Sequence, residues 1–113
     1  MEQWIQYMIE QALTYEHIRK LLENKKWRIC LSEKEKRWNL MFQHGNIRWI
    51  KDEGDHCDLL IEGTTSALLK LVRGEEMLQQ LMKKREIQVK GSYRALLFFE
   101  SFAWLFEVNT QQI

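Results

Sequence analysis

Proline is absent from this 113-residue chain, and glycine occurs only five times. With so few breakers, each glycine marks a place where the backbone must turn or be closely approached. Two cysteines, Cys30 and Cys57, are too few for a disulfide scaffold or a four-cysteine zinc site. No apolar run approaches the ~18 residues needed to cross a bilayer; the densest, 95–106, is interrupted by Glu100 and Ser101. Neither sign of charge prevails: 17 Lys and Arg against 16 Asp and Glu leave +1 with histidines neutral. That balance supplies no global field to draw in nucleic acid or an anionic membrane. The opening residues MEQWIQYMIEQALTYEHIRK lack a basic segment followed by an unbroken apolar one, so no secretory signal is expected.

What is present suffices for a core. Apolar residues (AVILMFWYC) make up 45% of the chain, which excludes an intrinsically disordered polymer. Length and the absence of any linker-like stretch predict one cytoplasmic domain over residues 1–113, with no nucleic-acid partner and no stable membrane insertion.

Residues 2–23 place Trp4, Ile5, Met8, Ile9, Ala12, Tyr15, Ile18 and Leu22 at helical spacing, with a break foreseen around Leu13–Tyr15. From Trp27 the period changes to two. Trp27, Ile29 and Leu31 alternate with Arg28, Cys30 and Ser32, then Trp38, Leu40 and Phe42 repeat the pattern, and 47–50 form a third strand. The turns between them are Glu33–Lys36 and His44-Gly45-Asn46, and a polar loop over 52–55 follows.

The second half repeats a unit. Ile61-Glu62-Gly63-Thr64, followed by Ala67-Leu68-Leu69, is echoed by Val89-Lys90-Gly91-Ser92, followed by Ala95-Leu96-Leu97. Each copy is a short strand, a glycine, a hydroxyl residue placed as a helix cap, and an apolar helix. Gly74 is positioned to end the first of these helices, and Met77 to Lys84 form a short one between the copies. The full string is α, β-β-β, β-α-α, β-α. It predicts an α+β fold: a five-stranded, mainly antiparallel sheet covered by about four helices.

Enzyme signatures are missing: no GxGxxG, P-loop, HExxH or GxSxG occurs. His17, His44 and His56 have no nucleophile at motif spacing and are expected to be solvent-exposed bystanders. The run 52–58 mixes hard and soft ligands, yet without EF-hand or zinc-knuckle spacing, so neither a metal nor a cofactor is expected. Cys30 and Cys57 are expected as buried, reduced thiols on strands that neighbour each other, with redox pairing as the lesser alternative. Trp27, Trp38 and Trp49 lie among Arg28, Arg37, Arg48 and Lys51, the mixture a base-stacking platform uses. They fall on the apolar phase of their strands, so core packing is the expectation.

The last helix is unusual. An ordinary surface helix has one apolar stripe. Here Leu96, Phe99, Phe102, Ala103 and Phe106 form one face, and Leu97, Phe98, Trp104 and Leu105 another. One face has the sheet to pack on; the other needs a second helix, a second subunit or an apolar ligand. The segment 77–82, with two methionines, is the expected opposing wall.

Taken in order, Cys57-Asp58-Leu59-Leu60-Ile61-Glu62-Gly63, Ala67-Leu68-Leu69-Lys70-Leu71, the short helix at 78–83, and Ile87-Gln88-Val89-Lys90-Gly91-Ser92 before an apolar final helix resemble the sterol carrier protein type-two domain. The likeness runs through essentially the whole chain, in patterns of residue class rather than an invariant signature. It implies an apolar tunnel between sheet and helices and the non-enzymatic binding of a sterol, fatty acid or acyl-CoA. By position, the lipid-binding lining it implies is Met77, Leu81, Leu96, Phe99, Phe102, Ala103 and Phe106, with Trp49 a weaker member. No catalytic set comes with it. The alternative is an interaction or dimerisation module of the same fold, its tunnel filled by aromatic side chains and its surplus apolar face buried in a homodimer.

Overall fold

A computed structural model describes residues 1–51 and 56–110. Two helices open the chain, α1 (Glu2–Ala12) and α2 (Glu16–Leu22). They are separated where expected, at Leu13–Tyr15. α1 buries Ile5, Met8, Ile9 and Ala12, a stripe at i, i+3, i+4 and i+7, and α2 buries Ile18 and Leu22.

Three strands follow: β1 (Lys26–Glu33), β2 (Lys36–Gln43) and β3 (Asn46–Lys51). The β2–β3 turn has two residues, His44 and Gly45, at φ of 51° and 77°. Positive φ at both central positions gives the turn twist that matches the strands it joins. Lys34, at φ 54°, opens the β1–β2 turn.

The repeated unit of the second half then appears as β4 (Leu59–Gly63) with α3 (Thr65–Val72), and β5 (Ile87–Gly91) with α5 (Tyr93–Thr110). Between the two copies lies α4 (Leu78–Lys83). Both predicted caps form: Thr64 Oγ1 accepts from the Ala67 amide at 3.1 Å and Ser92 Oγ from the Ala95 amide at 3.3 Å. Gly74, at φ 71°, lies just past the end of α3.

The strands lie in the order β3-β2-β1-β4-β5. Three pairings are antiparallel, and β1 with β4 is parallel, Ile29 standing beside Leu59 and Leu31 beside Ile61. The α+β expectation therefore holds, with five helices among the described residues rather than about four because the first segment is broken, and with one parallel pair in a mostly antiparallel sheet. Ile29, Leu31, Leu40, Phe42 and Ile61 point into the helical core and are fully buried. The alternate residues of β1 and β2 occupy the other face. Cys30 is among them, and it is bonded to Cys57, the two Cα atoms 6.0 Å apart. The expectation of free thiols is corrected: the β1–β4 register sets Leu60 beside Cys30, and the chain just ahead of β4 runs close enough to β1 for Cys57 to reach Cys30.

Gly91 shows why the unit needs its glycine. Its φ is 136°, and an added Cβ would press on the Asp58 carbonyl oxygen and the Leu59 Cα of the adjoining strand.

Candidate functional site

α5 divides differently from the two faces read in the sequence. Ala95, Phe98, Phe99, Phe102 and Phe106 are buried. Phe98 thus belongs to the inward side, because Phe42 and Trp27 meet it there, with ring centroids 5.2 and 6.3 Å away. Leu96, Ala103 and Leu105 are half-buried flanks. On the outward side Tyr93, Leu97 and Trp104 remain 70%, 45% and 49% exposed. The helix therefore carries more apolar surface than the sheet covers.

The inward side is solid. Phe42 of β2 contacts Phe99 and Phe102 with centroids 6.3 and 5.0 Å apart, and Phe102 stacks on Phe106 at 6.3 Å. Phe99, Phe102, Phe106 and Leu81 of α4 each expose 2% or less. These four members of the sequence-derived lining lie together in the core. Two others, Met77 and Ala103, line a cavity of about 190 Å³ between the start of α4 and α5, together with Leu78, Gln79, Glu100 and Trp104. Leu96 packs partly buried on the core cluster. Trp49 stands apart, on edge strand β3, where its indole N–H donates to Gln6 Oε1 of α1 at 2.9 Å.

Leu78, Gln79, Glu100 and Trp104 border this cavity but were not in the lining given by the sequence reading, which placed Trp104 only on the second apolar face of the last helix. Glu100 and Trp104 are four apart on one helix, a signal available in the sequence, whereas the reach of Gln79 across to α5 is tertiary. Gln79 Nε2 donates to Glu100 Oε2 at 2.8 Å, a polar clasp over the apolar lining. Further along α5, burial first and the nearby Glu76 carboxylate second hold the Glu107 carboxyl above its usual range. Glu76 is paired with Lys84 at 2.8 Å.

All three histidines are exposed, and His56 Nε2 lies 3.3 Å from Asp58 Oδ1. The polar loop expected at 52–55, and with it most of the mixed-ligand run, lies outside the described residues. Among the described residues no group of three His, Cys, Asp or Glu side chains is arranged to hold a metal, and no helix is long and apolar enough to cross a membrane. Trp38 is in the core as expected, 2% exposed, its indole N–H given to the Glu2 carboxylate.

A five-stranded sheet under helices, closed by a last helix with surplus apolar surface, defines the class. The chain belongs to the SCP-2 sterol transfer family, whose pattern it matches over residues 5–103. That membership places it, in general terms, among lipid-binding or lipid-transfer domains. It is 38% identical to the SCP2 domain-containing protein YusD of Bacillus subtilis (strain 168) over 48 residues, 42% of this chain and 42% of YusD. The matched stretch thus spans less than half the length of that relative. Among solved structures, the sterol carrier protein domain 2 of Helicoverpa armigera aligns with a TM-score of 0.77 at 11% identity, over 98% of this chain and 91% of that one. A conserved hypothetical protein from Thermus thermophilus gives 0.70 at 18% identity, over 99% and 87%. At these identities the likeness establishes the shared fold.

Proposed function

We propose that this domain, spanning residues 1–113, binds an apolar lipid of the sterol, fatty-acid or acyl-CoA type without catalysing a reaction on it. The guest enters between α4 and α5. The carrying observation is the cavity bounded by Met77, Leu78, Ala103 and Trp104 beside an α5 whose outward side is left uncovered. Its volume of about 190 Å³ is below the roughly 300–1,000 Å³ usual for ligand sites. A lipid therefore fits only if α5 is levered from α4, with Leu81, Leu96, Phe99, Phe102 and Phe106 yielding to line the widened space and Trp49 at its far margin. The two flexible methionines of the 77–82 segment suit such repacking. A dozen buried methylenes supply on the order of 10 kcal/mol before the entropy of binding and the cost of displacing aromatics are subtracted.

Titration with a fluorescent fatty acid, read by tryptophan quenching, tests this. Saturation in the micromolar range is expected, and no saturable signal into the tens of micromolar overturns it. Mass spectrometry of an organic extract of the purified protein identifies the guest.

A second reading rests on Tyr93, Leu97 and Trp104: this outward stripe is covered by a second copy of the chain. Light scattering over a dilution series separates the two, since a tight dimer without extractable lipid favours the second. A cytoplasmic location is also proposed. The Cys30–Cys57 bond weighs against it, because such compartments keep thiols reduced, and alkylating free thiols in intact cells decides the matter.

A further inference from the structure

The cavity between the start of α4 and α5 has a pattern of polarity as well as a volume. Met77, Leu78, Ala103 and Trp104 make its apolar wall, and Gln79 and Glu100 complete the lining. Lysine, arginine and histidine are missing from that lining. Glu100, Ala103 and Trp104 stand at i, i+3 and i+4 on α5, so the carboxylate and the apolar wall share one stripe of the helix. Glu100 is half-buried there, and Gln79 is exposed on α4.

The chemistry of this mouth distinguishes between head groups. Gln79 Nε2 donates to Glu100 Oε2 at 2.8 Å, one donor and one acceptor at the rim of an otherwise apolar hollow. Glu100 makes no ion pair among the described residues, in contrast to Glu62, Glu75, Glu76 and Glu86, which do. A hydroxyl both donates and accepts. It can enter the clasp, giving its proton to Glu100 and taking one from Gln79, with neither side chain left unsatisfied. A carboxylate or phosphate only accepts, and it sets a second negative charge against Glu100 with no side-chain cation in the lining to offset it. An ammonium pairs with Glu100 but cannot accept from Gln79, so its gain is partly offset.

Resting on the lipid-binding reading above, we propose that Glu100 and Gln79 select the head group at this mouth, admitting an uncharged amphiphile that ends in a hydroxyl ahead of one that ends in an anion. The hydroxyl sits between the two side chains, and the first carbons of the guest lie on Met77, Ala103 and Trp104. A fatty acid still binds through its chain, but more weakly than the alcohol of equal length.

Calorimetric titration of the full chain with decanol, decanoate and decylamine tests this, each below its solubility or micelle-forming limit and at about pH 7.5, where the acid is ionised. Decanol is expected to bind about fivefold more tightly than decanoate, the scale of one partly screened repulsion. That margin is expected to narrow as salt is raised. Glu100→Gln keeps an acceptor and removes the charge, so it should raise decanoate affinity about fivefold and leave decanol within about twofold. Glu100→Lys should carry decanoate past decanol. The salt series needs no variant and decides the matter should either substitution fold poorly. Decanoate binding as tightly as decanol in the parent, or a margin unmoved by salt and by both substitutions, overturns the selection and leaves the lipid reading standing. Decylamine is expected within tenfold of decanol; a larger advantage makes the mouth a cation site and overturns the hydroxyl assignment. Binding of none of the three overturns the lipid reading and the selection with it.

Discussion

Phe42 on β2 and Phe102 on α5 meet edge to face, their centroids 5.0 Å apart and their planes inclined at 67°. The contact places two aromatic rings in the space between sheet and final helix that the proposed guest would occupy. On that proposal, occupancy by lipid is a competition with the protein's own side chains.

Phe102→Ala should therefore destabilise the fold and widen the site together. Removing a fully buried phenylalanine costs about 3–5 kcal/mol, to be read from urea midpoints at constant slope. The same variant should bind a fluorescent fatty acid more tightly than the parent, because less aromatic surface has to be displaced. A variant weaker in both respects would mean that the vacated space closes.

The Cys30–Cys57 bond closes a stretch with a sequence separation of 27. By loop-closure entropy this is worth about 3–4 kcal/mol. Reduction with dithiothreitol, or Cys57→Ser, should lower the urea midpoint accordingly. Equal midpoints with and without reductant would show that the bond does not form in solution.

Trp38 holds Glu2 by its indole N–H, and this hydrogen bond is the main reason the Glu2 carboxyl lies below its ordinary range. A carboxyl lowered on folding stabilises above its unfolded value of about 4.3, and that stabilisation is lost as pH falls through the folded value. Glu2→Gln should thus be slightly less stable than the parent at pH 7, by no more than about 1 kcal/mol because the carboxylate is partly in water. The difference should be smaller at pH 3 than at pH 7. Paired thermal melts at the two pH values check it.

Gly91→Ala places a Cβ against the backbone of Asp58 and Leu59 at a φ of 136°. The backbone conformation alone costs about 1–3 kcal/mol, and the contact adds to it. Gly45→Ala is the control: nothing lies within 4 Å of an added Cβ, though φ is also positive at 77°. Thermal melting should rank Gly91→Ala well below Gly45→Ala.

Much of the architecture was legible along the chain because its signals are local. A period of two at Trp27–Leu31 and Trp38–Phe42, a period near 3.6 in α1, and the repeated strand-glycine-cap units each describe neighbours within one element. The hydroxyl caps at Thr64 and Ser92 were readable for the same reason, since cap and amide are three residues apart. The apolar excess of α5 was readable too, but its division into faces was not: Phe98 turned inward because Trp27 and Phe42, more than fifty residues away, offered it a surface.

The amino-acid order by itself thus determined the succession of helices and strands, the places where glycine is required, and an apolar final helix with more surface than one sheet covers. Tertiary structure alone decided the parallel β1–β4 pairing, the joining of Cys30 to Cys57, and the meeting of Gln79 with Glu100 across two helices. It also decided that Phe99, Phe102 and Phe106 fill the interior while Met77 and Ala103 border a hollow. Periodicity specifies which way a side chain points relative to its own element, whereas these outcomes depend on which distant element arrives opposite it.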